Sequence, residues 1–193
     1  MRVLVLYAHP VETSFQAALH GAVVGALTRA GHQVDDCDLY GEGFDPVLSR
    51  QERIDYHDLA VNRRNVDPYV ERVMRAEALV LVYPVWNFGF PAILKGFFDR
   101  VFLPGVSFRM ENGKAVGNLG HIRKLAAVAT YGGARWRALL VGDPPRKSVT
   151  RVLRAQVGRL GRVPYLTHYD MNRSTEATRS AFLERVTKEM ERF

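Results

Sequence analysis

Short apolar runs rich in β-formers alternate along this chain with segments whose apolar positions recur at the helical period. Val3 to Ala8 reads as a first strand. Phe15, Ala18, Leu19, Ala22, Ala26 and Leu27 then trace one helical face, with Thr13 and Gln16 at capping-box spacing and Gly31 beyond the end. That helix is expected to begin near Ser14. Val34 to Leu39 is a second strand, and residues 41 to 66 are polar and irregular, with room for a short helix. Asp67 and Pro68 read as N-cap and first-turn proline of a helix that turns Val70, Val73 and Met74 inward. Ala78 to Tyr83 is apolar without a break, the mark of a strand covered on both faces. Pro91 opens a helix with Leu94, Phe97, Phe98, Val101 and Phe102 on one side. A glycine-rich excursion over 103 to 120 leads to a fourth strand, Leu125 to Thr130. Asp143-Pro144-Pro145 is placed to cap a further helix, and Tyr165 to Tyr169 is the fifth strand. Ser174 is the expected cap of a closing helix that faces inward with Phe182, Leu183, Val186 and Met190.

Five strands interleaved with helices predict an α/β fold, a three-layer doubly wound parallel sheet. Such sheets bind ligands beyond the carboxyl ends of their strands, at the topological switch point. The chemistry is therefore expected in three loops: His9 to Phe15, Pro84 to Gly89, and Tyr131 to Arg135.

Composition narrows this only a little. A length of 193 residues fits one domain, 1–193, and no apolar run is long enough to span a bilayer. The N-terminal run is brief and lacks a charged leader, so it reads as a strand and not a signal peptide. A lone cysteine, Cys37, has no internal disulfide partner, which agrees with a cytoplasmic location. The net charge of +7 favours anionic partners. Part of it is concentrated: Arg135, Arg137, Arg146, Lys147, Arg151, Arg154, Arg159 and Arg162 stand against one acid, Asp143. That run is either a solvated helix face or an anion-binding surface.

Each loop has its own chemistry. The first ends at a helix N-terminus, where unpaired N–H groups and the helix dipole suit a phosphate. His9, Thr13 and Ser14 add side-chain donors there, although a plain helix cap would look the same. Neither a G-x-G-x-x-G after strand one nor a G-x-x-x-x-G-K-[ST] is present, which disfavours a Rossmann dinucleotide site and a P-loop. The second loop sets Val85, Trp86, Phe88 and Phe90 between Pro84 and Pro91, a composition that either covers a flat apolar ring or packs under the sheet edge. In the third, Gly132 and Gly133 allow close backbone approach to a ligand, or simply make a strand-to-helix turn.

The motifs Ala8-His9-Pro10 with Thr13-Ser14-Phe15, Asp38-Leu39-Tyr40, and Phe44 to Ser49 lead to the most specific stretch. This is Pro84 with Phe88-Gly89-Phe90-Pro91-Ala92-Ile93-Leu94-Lys95-Gly96 and Asp99-Arg100-Val101-Phe102, completed by Thr130 with Gly132-Gly133. Over nearly its whole length the chain resembles the flavodoxin-like NAD(P)H:quinone oxidoreductase family. The resemblance implies strand order 2-1-3-4-5 and a flavin, FMN or FAD, held by the three loops. His9, Thr13, Ser14 and Phe15 would sit at its phosphate end. Pro84, Val85, Trp86, Asn87 and Phe88 would contact the ring, and Thr130, Tyr131, Gly132 and Gly133 its pyrimidine edge. It implies a homodimer that passes a hydride from NAD(P)H to the flavin and two electrons on to a quinone or similar acceptor, in ping-pong order.

Two departures stand out. No tyrosine–histidine pair follows Gly133, so no proton relay carries over, and Tyr131 is left as the one side chain to weigh for catalysis. Position 86 is Trp, which would narrow the acceptor pocket. Arg135, Arg137, Arg146 and Lys147 are placed to grip an NADPH 2′-phosphate. The alternative reading is a flavoprotein subunit ancillary to a membrane transporter, associated with the membrane only peripherally. Nucleic-acid binding rests on charge alone and is set aside, as is metal catalysis, because the six histidines are scattered.

Overall fold

The computed structural model describes residues 1–158 and 161–193; Arg159 of the basic run lies outside the described residues. Five parallel strands form the central sheet: β1 (Arg2–Tyr7), β2 (Gln33–Asp38), β3 (Ala78–Val85), β6 (Lys124–Tyr131) and β7 (Tyr165–His168). Their spatial order is β2-β1-β3-β6-β7, the expected 2-1-3-4-5 arrangement when the parallel strands alone are counted. The pleat sends alternate residues to opposite faces. Leu4, Leu6, Leu79, Leu81, Leu125 and Ala127 meet α3 (Asp67–Arg75) and α4 (Ala92–Val101). Val3, Val5, Val80, Val82, Ala126 and Val128 meet α1 (Phe15–Arg29) and α8 (Glu176–Met190). A short helix, α2 (Arg50–Asp55), interrupts the polar stretch after β2, and α5 (Arg135–Leu140), α6 (Pro144–Lys147) and α7 (Arg154–Gln156) lie between β6 and β7.

Several local expectations shift by a residue, for physical reasons. Ser14, not Thr13, caps α1: its Oγ accepts the Ala17 N–H at 3.1 Å, and Gln16 turns into the core. Thr175, not Ser174, caps α8, and Ser174 accepts from Arg179 instead. Asp67 is the first helical residue of α3 and its carboxylate pairs with Arg63; the cap position is Val66. Met74 faces outward, whereas Val70 and Val73 are buried and Tyr69 packs on Phe44 and Phe97. The 103–120 excursion contains an antiparallel hairpin, β4 (Phe108–Glu111) and β5 (Lys114–Gly117). Asn112 (φ 50°) and Gly113 (φ 76°) make its turn, the left-handed pair that a two-residue hairpin requires.

Candidate active site

The carboxyl ends of β1, β3 and β6 lie side by side, in register, so the three predicted loops emerge at one end of the sheet. At the first, the Val11 N–H donates to His9 Nδ1 at 3.1 Å. The network thus assigns the neutral ring its proton on Nε2. Ser14 Oγ lies 3.1 Å from the same nitrogen, which fixes His9 against the start of α1. The backbone N–H groups of Glu12, Thr13, Phe15 and Gln16 have no acceptor in the chain among the described residues. They are the donors a helix N-terminus offers an anion. Phe15 packs its ring edge-on to His168 at 5.9 Å.

At the second loop β3 runs two residues further than expected, so Pro84 is a buried strand residue paired with Thr130 and not the start of the loop. Its missing N–H marks where ladder bonding weakens. Trp86 to Gly89 then form a tight turn closed by Gly89 N–H to Trp86 O at 2.9 Å. Asn87 (φ 48°) and Phe88 (φ 55°) both sit in the left-handed region. For phenylalanine that conformation is unfavourable by about 1–2 kcal/mol. The three aromatic side chains divide. Phe90 packs on Tyr83 and Phe98, whereas Trp86 and Phe88 are 42% and 39% exposed. Trp86 leans towards His9, ring centres 5.9 Å apart, and so joins the first two loops.

The third loop closes the site. Val85, Asn87, Phe88, Tyr131, Gly132 and Gly133 are among the residues lining a cavity of about 200 Å³. The carbonyls of Gly132 and Gly133 accept from the Asn172 and Asp170 N–H groups, leaving the N–H groups of Gly132, Gly133 and Ala134 without acceptors in the chain among the described residues. A methyl group on Gly132 would come no nearer than 3.4 Å to Asn172, so the fold itself does not demand glycine there.

Two predicted roles are corrected. Thr130 is buried and its hydroxyl donates to Gln16 Oε1 at 2.9 Å, inside the α1 layer and away from the residues that line the cavity. The Tyr131 phenol points away from the cavity, donating to Asp143 Oδ1 at 2.5 Å and touching Tyr165 Oη at 3.1 Å. Burial raises its pKa far above the ordinary phenol value, which keeps the Tyr131 hydroxyl protonated at neutral pH. Asp143 makes no cap bond, since its carboxylate turns inward to Tyr131 and Arg146. Arg146 is therefore engaged, while Arg135, Arg137 and Lys147 stay exposed.

The sequence reading missed a cavity of about 540 Å³ beyond β7, where His168, Arg173, Ser174, Thr178, Phe182 and Arg185 line one wall. His168 Nδ1 and Thr167 Oγ1 are buried there without hydrogen-bond partners. Burial holds the His168 pKa below its ordinary value, against backbone hydrogen bonds that favour the charged ring. Its residues come from β7, α8 and the segment that joins them, far in sequence from the motifs, and only their cations could have flagged it. Among the described residues no helix is long and apolar enough to cross a membrane.

The chain is 35% identical over 120 residues to a Haemophilus influenzae protein described as an uncharacterized NAD(P)H oxidoreductase, covering 62% of this chain and 59% of that one. Identity to NAD(P)H dehydrogenase (quinone) 1 of Cavia porcellus is 37% over 123 residues, covering 55% and 45%. The chain thus spans about half the length of these curated relatives. The solved NAD(P)H:quinone oxidoreductase of Methanothermobacter marburgensis is similar with a TM-score of 0.80 and 26% identity, covering 99% of this chain and 98% of that one. The family model of the flavodoxin-like fold matches residues 1–190. With the strand order and this match in agreement, the chain belongs to the flavodoxin-like fold family.

Proposed function

We propose that residues 1–193 form one flavin-binding unit and that the protein is a flavin-dependent NAD(P)H oxidoreductase acting on a quinone or similar acceptor. One observation carries this reading: backbone N–H groups at the first and third loops that have no acceptor in the chain among the described residues, either side of an exposed aromatic turn at one sheet end. A flavin supplies the redox chemistry when bound, and the protein orients and tunes it. His9, Thr13, Ser14 and Phe15 would hold its phosphate. Val85, Trp86, Asn87 and Phe88 would cover the ring, and the Gly132 and Gly133 amides would meet its polar edge. The names of the relatives agree with this reading and lend no support to an ancillary transporter subunit.

The arginine-lined cavity beside Phe15 favours FAD over FMN, because it offers cations and room next to the phosphate end for a second phosphate and an adenosine. Trp136 and Leu140, 61% and 78% exposed beside the third loop, favour a homodimer that covers them. The exposed Arg135, Arg137 and Lys147 favour NADPH over NADH. The single buried Cys37 fits a cytoplasmic enzyme. The test is to purify the protein, record its visible spectrum and weigh the released cofactor, with sedimentation velocity for the assembly. A yellow FAD-bearing dimer is expected. A colourless monomer that takes up no added flavin would overturn the reading.

A further inference from the structure

Beneath the third loop lies a buried polar cluster that the proposed chemistry does not use. Asp143 is 4% exposed and holds a left-handed backbone (φ 47°), yet it is not a glycine and caps nothing. Its Oδ1 accepts the Tyr131 hydroxyl at 2.5 Å and its Oδ2 accepts Arg146 Nε at 3.0 Å. Arg146 also donates to Tyr169 Oη at 3.2 Å and lies 4.5 Å over the Tyr165 ring. Tyr165 Oη in turn meets Tyr131 Oη at 3.1 Å and Tyr83 Oη at 2.9 Å. Four phenols and one ion pair thus satisfy one another, with Asp143, Tyr131, Tyr83 and Tyr165 buried and Arg146 and Tyr169 at the half-buried edge. Networks of this kind fix geometry when complete and fail when a member is lost.

The cluster also has a direction. Tyr131 is the last residue of β6, and the next three residues carry the N–H groups that have no acceptor in the chain among the described residues. One side of that turn is held through the Gly132 and Gly133 carbonyls by Asn172 and Asp170. The other side is anchored by Tyr131, whose side chain reaches Asp143 and Tyr165 and whose backbone pairs with Val85 of β3.

We propose that Asp143 is a positioning residue for the flavin: acting through Tyr131, it sets the aim of the Gly132, Gly133 and Ala134 amides, with Arg146 as its counter-ion. This rests on the flavin reading above. The carboxylate touches no reacting atom. Its work is to hold donors in place before the ring arrives, which is where preorganisation acts.

The experiment strips the flavin from the purified protein and titrates it back by fluorescence quenching, for wild type, Asp143→Asn, Tyr131→Phe and the double variant. Val186→Ala, in the core on the opposite face of the sheet, serves as a control matched for lost stability. Asp143→Asn and Tyr131→Phe are each expected to raise the flavin Kd at least tenfold, and the double variant no further than the worse single one. The bound-flavin midpoint potential should become more negative in both, because misaimed amides favour the reduced ring less. Val186→Ala should lower Tm without changing either quantity. A Kd within twofold of wild type in Asp143→Asn would overturn the proposal, as would fully additive losses in the double variant. If Asp143→Asn does not fold, Tyr131→Phe decides: wild-type affinity and potential there refute it. A wild-type protein that binds no flavin sinks the functional reading itself, a distinct outcome.

Discussion

Thr130→Val separates a structural role from a binding role at a position where the sequence motif suggested cofactor contact. The substitution keeps the shape of the side chain and removes one hydroxyl. That hydroxyl donates to Gln16 Oε1 at 2.9 Å, and both residues are buried, 8% and 3% exposed. Gln16 Oε1 would be left without its partner, and an unsatisfied buried acceptor costs about 1–3 kcal/mol. For a chain of this size each kcal/mol moves Tm by roughly 2–4 °C, so a fall of roughly 2–12 °C is expected. Flavin affinity should stay within twofold of wild type, since the hydroxyl faces α1 and not the cavity. Thermal unfolding of the flavin-free protein and a flavin titration measure the two effects separately. Adding Gln16→Leu should recover much of the lost stability, because removing both polar partners leaves nothing unpaired. An unchanged Tm with a tenfold loss of flavin affinity would refute the reasoning.

Gly132→Ala should show the opposite split, with Tm nearly unchanged because the added methyl meets only ordinary contacts, and flavin affinity reduced in the same titration. Glu52→Gln probes the pair that Glu52 makes with Arg100 at 2.5 Å, where both side chains are about nine-tenths buried. Burial alone would raise the Glu52 pKa; bonds from Ser49 and Arg100 outweigh it and hold it below the ordinary carboxylate value. A lowered folded-state pKa gives stability above the unfolded pKa that fades as pH falls through the folded one. Urea melts should therefore show Glu52→Gln less stable than wild type by about 1.5–3 kcal/mol at pH 7, with the gap closing in acid. The double variant Arg135→Gln/Arg137→Gln should raise KM for NADPH several-fold and leave KM for NADH unchanged in steady-state assays at low salt, because both guanidinium groups are exposed near the third loop. Equal effects on the two nucleotides would argue against a 2′-phosphate contact.

The strands and both helical layers were legible because the signals are redundant: long apolar runs in β3 and β6, and helical periods in α1 and α8; the order of the strands followed only from the family resemblance. Caps were less legible, since Thr13-Ser14 and Ser174-Thr175 are adjacent hydroxyl pairs and only the burial of Gln16 or the pairing of Thr178 selects one. The hairpin around Asn112-Gly113 carried a usable signal, an Asn-Gly pair, that the glycine-rich stretch obscured. The three loops do emerge at one end of the sheet, the second beginning two residues later than the sequence indicated, but the directions of their side chains were not legible. Whether Thr130, Tyr131 and Asp143 point to the cavity or the core depends on partners 12 to 114 residues away, at Asp143 and Gln16. The same distance hid the cavity between β7 and α8.

The central claim is that the three loops carry a flavin that takes hydride from NAD(P)H and gives up electrons in a separate step. Anaerobic stopped-flow tests it most directly: the flavin-loaded protein is mixed first with NADPH alone, then with a quinone. NADPH is expected to bleach the flavin absorbance in full before any acceptor is present, and the quinone to restore it. A bound flavin that NADPH and NADH both leave oxidised would contradict it.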